Sequence, residues 1–114
     1  MKVYKKLVRD KIPEIIISKG NSAITQVLSD EEFSKCLRKK LCEEVNEFLS
    51  DGAVEELVDI YEVILAMLEH MGVSFDSFEK MRHNKVLEKG SFSQKIFLDT
   101  VIEKNKVGDN KNDT

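Results

Sequence analysis

Between Leu41 and Glu79 the chain places eleven carboxylates (Glu43, Glu44, Glu47, Asp51, Glu55, Glu56, Asp59, Glu62, Glu69, Asp76, Glu79) and not one lysine or arginine. All eighteen basic residues lie outside that window, accompanied there by only ten acids. The window therefore carries −11 and the flanks +8, within a net charge of −3. Solvated helices ordinarily set a glutamate four residues before a lysine, and like charges at that spacing repel. The other residues of the window are strongly apolar, so the acids ride on a core-forming helical hairpin. An acid cluster with no basic partner of its own suits an external cation. A divalent-metal site is the leading reading.

At 114 residues the chain is expected to be one domain, residues 1–102, followed by a disordered polar tail over 103–114. No apolar run approaches the roughly twenty residues of a membrane span, so no membrane association is expected. Met1–Arg9 is charged, and no apolar stretch of the export-signal type follows it. Cys36 and Cys42 fall about 9 Å apart along one expected helix and point in different directions, which excludes a disulfide between them. Two cysteines and two histidines, scattered, make no zinc pattern. These features predict a reduced, cytoplasmic protein. The acidic balance argues against general nucleic-acid binding.

Local signals predict an all-α bundle of about four helices with short extended terminal segments. Asp10 can cap a short helix to about Lys19, with Pro13 tolerated in the first turn and Gly20 as its stop. Ala23–Leu28 reads as a strand or an extended connector. Ser29 with Glu32 forms a capping box that opens a helix to about Ser50, striped by Phe33, Leu37, Leu41, Val45 or Glu44, and Phe48. Asp51-Gly52 breaks the chain before a second long helix, Ala53–Met71. That helix is apolar nearly all round, which predicts burial by a bundle or by a second subunit. Ser74 can cap a further helix to about Lys89, and Ser91–Ile102 reads as a short strand or docked extension.

Glu44 and Glu47 are three residues apart, as are Glu56 and Asp59, and each pair shares a helix face. The short break makes the two helices antiparallel neighbours. Both pairs then lie near the turn, and four carboxylates converge into an all-oxygen site suited to Mg²⁺ or Mn²⁺. Glu44 falls within the apolar stripe, where an unpaired charge is expensive. Against this stands a plain solvated acidic face, for which Glu55, Asp59, Glu62 and Glu69 would serve. Glu43 reads as a further ligand, a supporting group or a surface residue. Lys40, Arg82, Lys85 and Lys89 flank the window, and Lys6, Arg9 and Lys11 can reach it from the N-terminus.

Glu43-Glu44-Val45-Asn46-Glu47, followed by Glu56-Leu57-Val58-Asp59, resembles the EExxE…ExxD signature of the MazG-type all-α nucleoside triphosphate pyrophosphohydrolases. These are related to phosphoribosyl-ATP pyrophosphohydrolase and the dimeric dUTPases. Lys40-Leu41 before the first motif and Lys85 through Lys89-Gly90-Ser91-Phe92 are similar to the family's framing segments. Lys6-Leu7-Val8-Arg9-Asp10-Lys11-Ile12-Pro13-Glu14 is similar to the start of a small stand-alone subgroup. The resemblance spans about residues 4–100.

It implies Mg²⁺-dependent cleavage between the α- and β-phosphates of a nucleoside triphosphate, giving monophosphate and pyrophosphate. Non-standard, house-cleaning substrates are included. Glu44, Glu47, Glu56 and Asp59 become the metal ligands and Glu43 or Glu47 the base, with Lys40, Lys85, Lys89, Arg9 and Lys11 as substrate contacts. A homodimer or higher oligomer is implied. Lys89 stands where the family usually has arginine, which puts bidentate phosphate clamping there in question. With no tryptophan, base stacking would fall to Tyr4, Tyr61 or a phenylalanine. Hydrolysis of phosphoribosyl-ATP uses the same chemistry at phosphorus. The non-enzymatic alternative is an acidic helical interaction module.

Overall fold

The computed structural model describes residues 1–104, so the expected tail lies, from residue 105, outside the described residues. Four helices follow in order: α1 (Ile12–Ser18), α2 (Asp30–Asp51), α3 (Val54–Met71) and α4 (Phe75–Lys89). No strand occurs among the described residues, and the fold is all-α.

The helix boundaries follow from capping. Ser29 Oγ accepts from Glu32 N–H at 3.2 Å while Glu32 Oε1 accepts from Ser29 N–H at 3.4 Å, completing the capping box of α2. Gly52 closes that helix at φ 68°, its N–H donating to Phe48 O at 2.7 Å. A side chain rarely adopts this left-handed geometry, so glycine is what lets α3 begin one residue later. Ser74 caps α4 by accepting from Ser77 N–H at 3.1 Å. At α1, Lys11 and not Asp10 holds the N-cap position, with no side-chain cap, and Pro13 sits in the first turn.

α2 and α3 form an antiparallel hairpin that carries most of the packing between helices; α3 and α4 touch only lightly, and α1 packs on no other helix. The core is thin. Leu37, Val63 and Leu68 are its buried apolar side chains, and Glu44 is buried among them. At the end away from the turn, the Phe33 and His70 rings meet edge-on at 5.2 Å and pin the two helices together.

Of the two segments expected to be extended, the first takes one of its two expected forms and the second needs correction. Ala23–Leu28 is a connector and not a strand. Ser91–Ile102 is neither strand nor docked: Phe92 is 98% exposed and Ile102 94%. A lone extended segment has no second strand to pair its backbone, and water satisfies it instead. The expected burial of the second long helix holds along one side only. Val54, Leu57, Val58 and Tyr61, spaced as one helical stripe, face solvent. The chain is correspondingly extended, with a radius of gyration of 19.9 Å against the roughly 13 Å of a compact domain of this length.

Candidate metal centre and its basic border

The two-residue link Gly52-Ala53 turns the chain so that the end of α2 faces the start of α3. Glu44, Glu56 and Asp59 each bring an oxygen to one point, with those atoms all within 4.8 Å of one another. Glu44 is only 7% exposed. Its Oε2, like Glu56 Oε2, is shielded from solvent and meets no N–H or hydroxyl donor among the described residues. Buried acceptors left without a donor are costly and uncommon. A hard cation would satisfy both, and an all-carboxylate donor set is the kind Mg²⁺ and Mn²⁺ take.

Glu47 stands apart from this trio. It is exposed on α2, yet it lies within hydrogen-bonding reach of Glu56. Burial raises the Glu56 carboxyl to about 7, reinforced by its hydrogen bond to Glu47 and by the charges of Glu47, Asp51 and Asp59. A proton on Glu56 would let it donate to Glu47. Glu56 also sits in the first turn of α3, where unpaired backbone N–H groups favour negative charge.

The window that lacks basic residues does not lack basic partners. Lys40 Nζ lies 3.1 Å from Glu44 Oε1 and 3.5 Å from Glu43 Oε2. These carboxylates raise the Lys40 ammonium pKa against the opposing effect of its burial. Arg9 Nη2 donates to Asp59 Oδ1 at 2.7 Å, from fifty residues away in the chain. The acids thus meet cations from outside the window: one lies a helical turn below on α2, the other on the N-terminal segment. A count along the sequence could suggest Lys40 through its spacing of four to Glu44. Nothing in it could single out Arg9.

The remaining candidates are placed as follows. Glu43 is engaged by Lys40 and does not join the trio. Lys11 caps α1 and is exposed. Lys85 and Lys89 stand on α4, which has no packing contact with α2. Arg82 is held by Glu79, its Nε and Nη2 donating at 2.9 and 2.6 Å.

A cleft missed at the level of sequence lies beside the acids. Lys5, Lys6 and Leu7 lie against Cys36, Lys39, Lys40 and Glu43 of α2, enclosing about 60 Å³. Cys36, Lys39, Lys40 and Glu43 share one helix face by their three- and four-residue spacing. Lys39 gives no signal in the sequence beyond that spacing, and Lys5 gives none.

The chain is similar to a protein of Mycolicibacterium smegmatis described only as uncharacterized, with 48% identity over 53 residues, 43% of this chain and 54% of that protein. The chain thus spans about half the length of that relative. No family model matches the chain, and no solved structure matches it.

Proposed function

We propose that this chain is a Mg²⁺-dependent nucleotide pyrophosphohydrolase, with Mn²⁺ able to substitute, splitting a nucleoside triphosphate into monophosphate and pyrophosphate. One observation carries the reading: Glu44, Glu56 and Asp59 converge from two helices, two of them with shielded oxygens that lack a donor among the described residues. The EExxE…ExxD signature supplies the same residues. When bound, the metal would neutralise the charge that develops on the phosphate oxygens.

Glu44, Glu56 and Asp59 hold that cation from both sides of the hairpin. Glu47 would join them once any proton on Glu56 is lost. It is exposed beside the trio, whereas Glu43 is tied to Lys40. Glu47 is therefore the better-placed acceptor for the proton of an attacking water. Arg9 and Lys40 border the acids, where they would meet a phosphate.

The reading includes a homodimer. The solvent-facing stripe Val54, Leu57, Val58 and Tyr61, with Leu49 at 74% exposure on α2, is apolar surface that a second hairpin would cover. Cys36 and Cys42 are both free thiols, which suits a reducing cytoplasm. No helix of the described residues is long and apolar enough to cross a membrane.

A panel of standard and modified nucleoside triphosphates, with phosphoribosyl-ATP, assayed for pyrophosphate release with and without Mg²⁺, tests the reading. Release that needs metal and is lost in Glu56→Gln supports it. The same exposed stripe would equally serve an interaction module, and that alternative is adopted if no nucleotide is cleaved and Mg²⁺ leaves the melting temperature unchanged.

A further inference from the structure

The cleft between residues 5–7 and α2 concentrates positive charge beside the acid trio. Four lysines (Lys5, Lys6, Lys39 and Lys40) line it against a single acidic residue, Glu43. Like charges gathered around so small a space repel unless an anion joins them. Two of the four are held in place. Lys40 is drawn in by Glu43 and Glu44 and is only 19% exposed. Lys6 lies over the Tyr4 ring at 5.6 Å, shared with Lys2 at 5.2 Å. Lys5 adopts φ 49°, in the left-handed region that lysine rarely visits, and strained backbone of this kind gathers at ligand clamps.

The cleft and the acids form one continuous track. Lys40 contacts both, through Glu43 on the cleft wall and Glu44 in the trio. Lys39 and Lys40 lie about 6–8 Å down the α2 axis from Glu44. The N-terminal segment spans the track, since Lys5 and Lys6 border the cleft and Arg9 reaches Asp59 on α3.

We propose that this cleft is an oligophosphate site that seats the terminal phosphates of the substrate, the part released as pyrophosphate, while the acids hold the metal at the bond to be broken. The assignment rests on the pyrophosphohydrolase reading for the identity of the ligand, but the anion site itself does not. It places the terminal phosphates on the N-terminal segment and α2, and not on the Lys85–Lys89 end of α4.

Cys36 makes the site readable without turnover. Cys36 is half-buried and lines the cleft, whereas Cys42 is exposed and outside it. Alkylation of the intact chain is followed by peptide mass spectrometry, in chelator, with pyrophosphate, with tripolyphosphate, or with sulfate at matched ionic strength. The expected result is that either oligophosphate slows Cys36 alkylation severalfold while Cys42 is unaffected and sulfate does little. Lys5→Ala with Lys39→Ala, two exposed positions that leave the core intact, should weaken the oligophosphate concentration dependence by roughly ten- to a hundredfold. Lys85→Ala should leave it unchanged.

Absence of protection at Cys36, equal protection at Cys42, or full protection in the double variant overturns the assignment. Nucleotide cleavage by the parent chain separates the two readings. Protection that persists in a chain cleaving no nucleotide sinks the hydrolase and keeps the anion site. An active chain whose Cys36 is never protected does the reverse.

Discussion

Arg9 Nη2 donates to Asp59 Oδ1 at 2.7 Å, so the N-terminal segment is tied to the same carboxylate that completes the acid trio. Under the metal-site reading, Asp59 would have two competing partners, a guanidinium and a cation. Both side chains are partly exposed, at 53% and 39%, and a pair of that kind contributes about 0–1 kcal/mol. Arg9→Ala should accordingly cost little thermal stability and tighten Mn²⁺ binding in the absence of nucleotide by a few-fold, as titration calorimetry would read. Weaker Mn²⁺ binding in that variant would show that Arg9 organises the site and does not compete for it.

Metal should stabilise the fold by mass action, because the site exists only when α2 and α3 are paired. Millimolar Mg²⁺ or Mn²⁺ is expected to raise the melting temperature, and Glu56→Ala with Asp59→Ala to abolish the rise. The metal-free double variant should melt no lower than the parent, and higher if repulsion among the acids dominates. An undiminished metal response in the double variant removes the site from this position.

The raised Glu56 carboxyl links stability to pH. Its pKa stands near 4.5 in the unfolded chain and about 7 in the fold, so the folded state binds the proton more tightly. That contribution is fully present below about 4.5 and is lost as pH rises through about 7. Without metal, the melting temperature should therefore fall between pH 5 and pH 8, and Glu56→Gln should flatten that slope. Metal competes with the same proton, so Mn²⁺ affinity should increase over this interval. A metal-free profile that is identical in parent and variant would overturn the assignment.

The stripe of Val54, Leu57, Val58 and Tyr61 should be covered in solution. Light scattering after size exclusion is expected to give at least a dimer, and Leu57→Glu with Val58→Lys to dissociate or unfold it. A monodisperse monomer at micromolar concentration would mean that another part of the chain closes over α3.

The turn offers a backbone test. An added Cβ at Gly52 meets nothing within 4 Å, so only the φ of 68° opposes it. Gly52→Ala should cost about 1–2 kcal/mol through that left-handed geometry alone. Because the turn sets how the two helix ends face, metal affinity should fall with it. Unchanged affinity would show that packing farther along the hairpin holds the acids in place.

Sequence alone determined the three longer helices and their ends, because these depend on neighbours a few residues away. Ser29 and Glu32 are one helical turn apart, and Gly52 ends a helix wherever it stands. The pairing of Glu44 with Glu56 and Asp59 was legible for the same reason, since a short turn leaves two helices little choice but to face each other. Tertiary structure decided what surrounds them. Lys40 and Arg9 enter the acid window, Glu47 stands outside the trio, Lys5 meets Lys39 across a cleft, and Ser91–Ile102 finds nothing to pair with. These relations join residues far apart in the chain or fix which way a side chain turns. Periodicity places a residue on a helix face, and only packing determines what that face meets.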